Sequence, residues 1–119
     1  MKKTVVLGAS PNPDRYSYKA VVSLLAHGHE VIAVGNKIGK IANVLINSEI
    51  PTDMDIDTVT LYLNPSRQDQ WQAAIIGCKP KRVIFNPGAE NPKFENLLHE
   101  NGIRTEIACT LVLLSTQQY

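Results

Sequence analysis

The stretch that decides the fold is Thr4-Val5-Val6-Leu7-Gly8-Ala9-Ser10-Pro11. It begins with a short, continuous, mostly apolar run that ends in glycine, which is typical of a strand buried on both faces of a parallel sheet. After a loop, apolar side chains at the helical spacing i, i+3, i+4 and i+7 predict a first helix: Tyr18, Val21, Val22 and Leu25. We expect Ser17 to cap the start of this helix and Gly28 to end it.

Residues 30–34 predict a second strand, and the gap before it is long enough for a right-handed β-α-β crossover. Three more runs predict strands: residues 58–63, 82–85 and 104–107. Strands that alternate with helices imply a parallel sheet covered on both faces. We therefore expect an α/β fold, a Rossmann-like, doubly wound parallel sheet of about five strands with helices on both faces.

Helix signals lie between the later strands. Ser66 with Asp69 three residues later resembles a capping box, and Asn91-Pro92 is a cap residue followed by proline at the first helical position. Residues 109–116 are apolar enough for a docked terminal helix, although so short a run could also be a strand. Residues 35–56 stay unassigned, because they fit a loop, a short strand or turn at 41–46, and a single helical turn at 48–51.

Length and composition fit one domain that spans residues 1–119. Twelve basic and eleven acidic residues give a net charge of +1, which predicts no nucleic-acid partner and a small anionic ligand instead. No apolar run reaches the roughly 20 residues that span a bilayer, so we expect a cytoplasmic protein without membrane contact. Cys78 and Cys109 are far apart and are expected to be free thiols.

The ligand site of such a sheet is expected outside the carboxyl ends of the strands, where the winding direction reverses. This rule selects the loops that follow the first four predicted strands. They are residues 8–19, 35–40, 64–67 and 86–91.

The first of these loops departs from the Gly-x-Gly-x-x-Gly pattern of ordinary dinucleotide sites, because serine and proline replace the second and third glycines. Such a loop is stiffer and offers fewer backbone N–H donors to a phosphate, so side chains must supply the missing donors. Ser10 offers a hydroxyl, and Arg15 offers a guanidinium that can bind phosphate through two N–H groups. Three further residues lie at the start of the following helix, whose positive end favours an anion: Ser17, Tyr18 and Lys19.

The second loop begins with Gly35-Asn36-Lys37 and lacks the Asp or Glu with which NAD sites bind the ribose hydroxyls. An uncharged residue beside Lys37 and Lys40 suits a phosphorylated ribose, which favours NADP or coenzyme A over NAD. Both lysines also fit the simpler interpretation of solvated loop charges.

The stretch Gly8-Ala9-Ser10-Pro11-Asn12-Pro13-Asp14-Arg15 is similar to the signature of the small coenzyme A-binding domain proteins. This second coenzyme A-binding family is related to the N-terminal domain of succinyl-coenzyme A ligase alpha subunits. The resemblance continues through residues 27–34, 86–91 and 101–110, and so covers nearly the whole chain. It implies a stand-alone Rossmann domain that binds coenzyme A or an acyl derivative, with no established reaction of its own.

The resemblance places the loop after the first strand around the nucleotide and diphosphate, with Tyr18 and Lys19 beside it. Together with the neighbouring loops, it gives twelve candidate residues for binding coenzyme A. They are Gly8, Ala9, Ser10, Pro11, Arg15, Tyr18, Lys19, Asn36, Lys37, Asn64, Pro87 and Gly88.

The chain departs from the family pattern at three places. Gly35-Asn36-Lys37 stands where the family has Asn-Pro, and Leu63-Asn64-Pro65-Ser66 stands where it has an Arg after the third strand. Ile107-Ala108 replaces Asp-Arg before Cys109. These departures remove two basic groups from the predicted site.

Three functions are compatible with the sequence. The leading hypothesis is a module that binds coenzyme A or acyl-coenzyme A. The second is an enzyme, either an NADP-dependent reductase or a domain associated with an acyl-coenzyme A ligase, although no catalytic triad, carboxylate pair or metal cluster can be assembled from the loops. The third is a Rossmann domain that acts through contacts with a protein partner. Cys109 is either a reactive thiol at the start of a helix or a small buried hydrophobic residue.

Overall fold

The computed structural model describes all 119 residues of the chain, in which strands and helices alternate. The strands are β1 (Thr4–Leu7), β2 (Val31–Val34), β3 (Lys40–Ile41), β4 (Val44–Asn47), β5 (Thr58–Leu61), β6 (Arg82–Phe85) and β7 (Arg104–Ile107). The helices are α1 (Tyr16–Ala26), α2 (Pro65–Gln68), α3 (Gln72–Gly77), α4 (Pro92–Glu100) and α5 (Thr110–Ser115), with a 3₁₀ turn at Asp69–Trp71. None of these helices has the length and apolar character that crossing a membrane requires.

All strands lie in a 7-stranded sheet of order β3-β4-β2-β1-β5-β6-β7. Every neighbouring pair is parallel except β3 and β4. Because β2 pairs with one side of β1 and β5 pairs with the other, the winding direction reverses at β1. The predicted Rossmann-like, doubly wound α/β fold is therefore confirmed, with seven strands in place of about five.

The central strand β1 is buried along its whole length. Its side chains alternate between two apolar cores, one on each face of the sheet. Val5 and Leu7 belong to the larger core, together with Phe94 of α4. Val6 belongs to the smaller core, together with Leu114 of α5. Helices thus cover both faces, and the carboxyl ends of the parallel strands form an open edge.

The two additional strands form a hairpin within residues 35–56, the segment that the sequence left unassigned. β4 extends the sheet in parallel beside β2, with Ala33 opposite Ile46, and it alternates partly buried and exposed residues, as a strand with one face open to solvent does. Residues 48–51 do not form the single helical turn that was one of the alternatives left open for this segment. Pro51 disfavours helical geometry at the preceding Ile50, and Ile50 is buried in the larger core instead.

The start of α1 differs from the prediction. Ser17 does not cap this helix, because the chain becomes helical at Tyr16, after an extended Arg15 at the cap position. A turn in which the Arg15 backbone N–H donates to the Asn12 carbonyl leads into the helix. Ser17 therefore lies inside the first turn, where it is 3% exposed.

The start of α2 also differs, because the predicted capping box of Ser66 and Asp69 does not form. Asn64 is the cap residue, and its side-chain oxygen accepts a hydrogen bond of 3.1 Å from the Arg67 backbone N–H. The helix starts there because Pro65 occupies its first position, which suits a residue without an N–H. The predicted cap at Asn91 and the predicted terminal helix are both confirmed.

Candidate ligand-binding site

A cleft of about 410 Å³ opens at the carboxyl ends of β1, β2, β5 and β6, beside the point where the winding reverses. This is the edge at which doubly wound sheets bind ligands. Its lining comes from four loops and the first turn of α1. The lining residues are Gly8, Ala9, Ser10, Arg15, Tyr16, Ser17, Asn36, Lys37, Tyr62, Leu63, Asn64, Arg67, Pro87, Gly88 and Ala89.

Two glycines allow the loops on the floor of the cleft to pack closely. Gly8 has a φ of +96°, and a Cβ there would stand 2.9 Å from the Tyr62 carbonyl oxygen. A Cβ on Gly35 would stand 2.6 Å from the Ala9 carbonyl oxygen. The backbone N–H groups of Gly8 and Ala9 both donate to the Val34 carbonyl, at 2.9 and 3.0 Å. These two N–H groups therefore hold β1 against β2 and are already used within the protein.

The loop between β1 and α1 is stabilised by its own side chains. Ser10 Oγ accepts from the Asn12 backbone N–H at 3.1 Å, and Asn12 Oδ1 accepts from the Asp14 backbone N–H at 3.0 Å. Such local bonds are common for serine and asparagine in turns. Because Ser10 uses its oxygen as an acceptor, its hydroxyl hydrogen is left to donate into the cleft.

Three cations line the cleft, and none is in an ion pair with a carboxylate. They are Arg15, Lys37 and Arg67, whereas the ion pairs of the protein join Lys3 to Glu30 and Arg82 to Glu106. No Asp or Glu is among the lining residues. The nearby carboxylate of Glu90 lies outside the lining and accepts a hydrogen bond of 2.8 Å from the Gly88 N–H. The lining of the cleft therefore carries positive charge only.

The amino end of α1 adds to this positive potential. No side chain caps it, and no acidic residue lies in its first turn. The N–H groups of an uncapped first turn and the helix dipole both favour an anion at that end. Tyr16 and Ser17 of this turn line the cleft, so the helix begins at its wall.

Gln68 positions two of the loops that line the cleft. It is fully buried, and its Nε2 donates to the carbonyls of Leu63, at 2.9 Å, and Ala89, at 2.7 Å. Its Oε1 accepts from Asn91 Nδ2 at 2.9 Å. The segment after β5 and the loop after β6 are thus tied together through one amide. A glutamine in a short polar helix gives no sequence signal for this role.

The amino-acid sequence of the chain matches a known family. A family model described as a CoA binding domain matches residues 2–115. This chain belongs to the CoA binding domain family. No curated protein sequence is significantly similar to it.

Solved structures share the fold of this CoA binding domain. An uncharacterized protein with 50% identity has a TM-score of 0.97, covering 100% of this chain and 98% of that one. A Thermus thermophilus protein, cell-free ID.343, has 21% identity and a TM-score of 0.87, over 99% of this chain and 90% of that one. The dinucleotide-forming acetyl-coenzyme A synthetase 1 of Ca. Korarchaeum cryptofilum has 15% identity and a TM-score of 0.71. It matches 87% of this chain, which corresponds to 25% of the synthetase.

Most of the twelve candidate residues of this CoA binding domain lie together at the cleft. Nine are lining residues: Gly8, Ala9, Ser10, Arg15, Asn36, Lys37, Asn64, Pro87 and Gly88. Pro11, Tyr18 and Lys19 are not. Pro11 packs against Gly39, where an added Cβ would stand 2.8 Å from the proline Cβ. Tyr18 packs on the smaller core, and Lys19 places its ammonium 5.3 Å from the centre of the Tyr16 ring.

The sequence did not identify Arg67 or Tyr62 as candidates. Residues 64–67 form one of the loops expected at the ligand site. The expected helix cap at Ser66, however, gives no indication that Arg67 lines this site. With Asn64 as the cap, Arg67 lies in the first turn of α2 and lines the cleft. It supplies a cation to the lining directly after residues 63–66. Tyr62 was assigned to a strand, whereas β5 ends at Leu61.

A smaller cavity of about 250 Å³, here called the side cavity, adjoins the cleft. Tyr16, Tyr62 and Pro87 line both spaces. The remaining lining residues of the side cavity are Asn86, Cys109 and Leu111. Cys109 is partly buried at the cap position of α5 and is a free thiol. The other free thiol, Cys78, is buried, and burial raises its pKa to about 11.

Proposed function

We propose that this chain binds coenzyme A or an acyl-coenzyme A in the cleft at the carboxyl ends of its strands. The observation that carries the proposal is a lining with three cations and no carboxylate. Arg15, Lys37 and Arg67 are free to bind anions, since none is in an ion pair. Coenzyme A carries a diphosphate and a ribose 3′-phosphate, which such a lining suits.

The diphosphate fits best beside the amino end of α1. There, the N–H groups of an uncapped first turn and the Arg15 guanidinium supply donors that the loop backbone does not. Ser10 adds a hydroxyl to the same wall.

The ribose phosphate fits best beside Asn36 and Lys37, after β2. No acidic residue stands there to bind a bare ribose diol. The two phosphate positions together favour coenzyme A over NAD, and the same cations would attract NADP. NADP is therefore included as a competing ligand in the test.

We further propose that residues 1–119 act as one binding unit, without a reaction of their own. The nine candidate residues at the cleft provide binding groups and no arrangement of a nucleophile with a general base. The acyl form of the ligand and the predicted cytoplasmic location belong to this same proposal.

Thermal unfolding in the presence of coenzyme A, acetyl-coenzyme A, NADP, NAD and ATP tests the proposal. A ligand at 100 times its Kd adds about 2.7 kcal/mol to the free energy of unfolding, which raises the Tm by roughly 5 °C or more. Coenzyme A and its acetyl form should raise the Tm most. Equal shifts by NADP or NAD, or no shift by either coenzyme A species, would contradict it.

A further inference from the structure

Asn86 lines the side cavity, but its amide offers no free hydrogen-bonding group to an occupant. The Asn86 Nδ2 group donates to Thr60 Oγ1 at 2.6 Å and to the Leu61 carbonyl at 2.8 Å. Its Oδ1 accepts from the Thr110 backbone N–H at 2.9 Å. Because both ends of the amide are engaged in the protein, Asn86 contributes a wall to the cavity and no free donor.

The other walls are aromatic, aliphatic or proline side chains and one thiol, and no charged residue lines the side cavity. The cations of the cleft, Arg15, Lys37 and Arg67, are absent from its lining. An occupant with a carboxylate would therefore lose its hydration without gaining a partner. An uncharged apolar group would bury its surface at no such cost.

The hydroxyl of Tyr62, unlike its ring, does not face the side cavity. The Tyr62 hydroxyl is buried beside the hydroxyls of Thr110 and Thr60, and it forms no hydrogen bond of good geometry with either. The hydroxyls of Thr60 and Thr110 bond to each other at 2.7 Å. Burial raises the pKa of Tyr62 to about 12, so the phenol is protonated and can donate. Tyr62 therefore contributes its ring to the lining of the side cavity, and not its hydroxyl.

We infer that the side cavity receives the acyl group of an acyl-coenzyme A, and that it selects short uncharged acyl groups over those that carry a carboxylate. The inference rests on the proposed function, because the cavity adjoins the cleft through Tyr16, Tyr62 and Pro87. The acyl end of a ligand bound in the cleft would enter the side cavity beside these three shared residues.

Calorimetric titration with acetyl-, propionyl-, butyryl- and succinyl-coenzyme A tests this selectivity. Each added methylene should tighten binding about fourfold, so butyryl-coenzyme A, with two more methylenes, should bind about fifteenfold more tightly than the acetyl form. Succinyl-coenzyme A should bind at least tenfold more weakly than butyryl-coenzyme A. Equal affinities for all four ligands, or the tightest binding for succinyl-coenzyme A, would overturn the inference while leaving the proposed function intact. Absence of binding by every coenzyme A species would overturn the proposed function itself.

Leu111→Trp is the matching variant, because Leu111 lines the side cavity and not the cleft. The tryptophan ring should fill the side cavity and so abolish the increase in affinity from acetyl- to butyryl-coenzyme A. The affinity for free coenzyme A should stay unchanged. Val112→Trp is the control, since Val112 follows on the same helix, is 54% exposed and lines neither space. A butyryl preference that persists in Leu111→Trp would contradict the assignment.

Alkylation of Cys109 by iodoacetamide gives a second measurement that needs no variant. Cys109 lines the side cavity, and buried Cys78 serves as the internal reference. Saturating butyryl-coenzyme A should slow alkylation of Cys109 several-fold more than saturating acetyl-coenzyme A, which has the same pantetheine arm and a shorter acyl group. Equal protection by the two ligands would place the acyl group outside the side cavity.

Discussion

The side-chain amide of Gln68 donates a hydrogen bond of 2.7 Å to the backbone carbonyl of Ala89, and so ties the helix after β5 to the loop after β6. Both segments line the cleft. The fold thus fixes the relative positions of two binding loops through a single buried side chain. Preorganisation of this kind reduces the entropy that a ligand must remove on binding.

Gln68→Ala should therefore weaken both stability and ligand binding. The change leaves the Leu63 and Ala89 carbonyls and the Asn91 amide without their partner, which should cost about 2 kcal/mol or more in the free energy of unfolding. Urea denaturation measures the first effect and calorimetry with coenzyme A measures the second. Gln70→Ala is the control, because Gln70 is exposed in the adjoining turn. Equal behaviour of the two variants would show that the amide does not position the loops.

Gly35→Ala should destabilise the protein by about 1 to 3 kcal/mol, since its Cβ would stand 2.6 Å from a backbone oxygen of Ala9 that cannot move aside easily. Gly77→Ala is the matched control in helix α3, where an added Cβ meets nothing within 4 Å. That change should instead stabilise the fold by about 0.4 to 1 kcal/mol, because alanine loses less conformational freedom on folding. Denaturation midpoints of the two variants should therefore move in opposite directions.

Stability should fall at alkaline pH. Burial raises the pKa of Cys78 from an ordinary value of 9.0 to about 11, and that of Tyr62 from 10.0 to about 12. Burial also raises the pKa of Tyr119. Above pH 9 the unfolded chain therefore releases protons that the folded chain retains, so the free energy of unfolding decreases as the pH rises toward 12.

Urea denaturation at pH 8, 9, 10 and 11 checks this sign. The double variant Cys78→Ala/Tyr62→Phe should show a shallower decline than the unaltered protein, whatever its stability at pH 8. Stability that is constant or rising between pH 9 and 11 would contradict the burial of these two groups.

Lys37→Ala should lower the affinity for coenzyme A but not the affinity for dephospho-coenzyme A, which lacks the ribose 3′-phosphate. Loss of a charged hydrogen bond should weaken binding of coenzyme A about tenfold. Binding of dephospho-coenzyme A should stay unchanged, because its ribose offers no phosphate to the lysine. A tenfold loss for both ligands would mean that Lys37 contacts another part of the nucleotide.

The parts of the fold that could be predicted from sequence are those in which a whole element is buried. The mostly apolar runs of β1 and β6 and the helical spacing around Val21 identify central elements, because burial on both faces of a sheet favours apolar residues along the strand. The hairpin could not be predicted in the same way. β3 has two residues and β4 lies near the sheet edge, so neither needs a long apolar run.

The candidate site could be predicted where backbone geometry dictates residue type and not where it depends on buried polar side chains. Gly8 and Ser10 stand out, since the turn after a first strand constrains them. Arg67 was missed because its orientation depends on which residue caps α2. Gln68 and Tyr62 were missed because burial of a polar group depends on partners brought together by the fold, and no sequence spacing reveals such partners.

The most direct test of the central claim is calorimetric titration of coenzyme A into the unaltered protein and into the variant Arg15→Ala/Arg67→Ala, with Arg104→Ala as control. Arg104 is exposed at the start of β7, at the opposite end of the strands from the cleft. The unaltered protein and the control should bind with a Kd well below millimolar, and the double variant should bind at least tenfold more weakly. No binding by the unaltered protein below millimolar concentration, or equal affinities in all three, would contradict the claim that the carboxylate-free cleft binds the phosphates of coenzyme A.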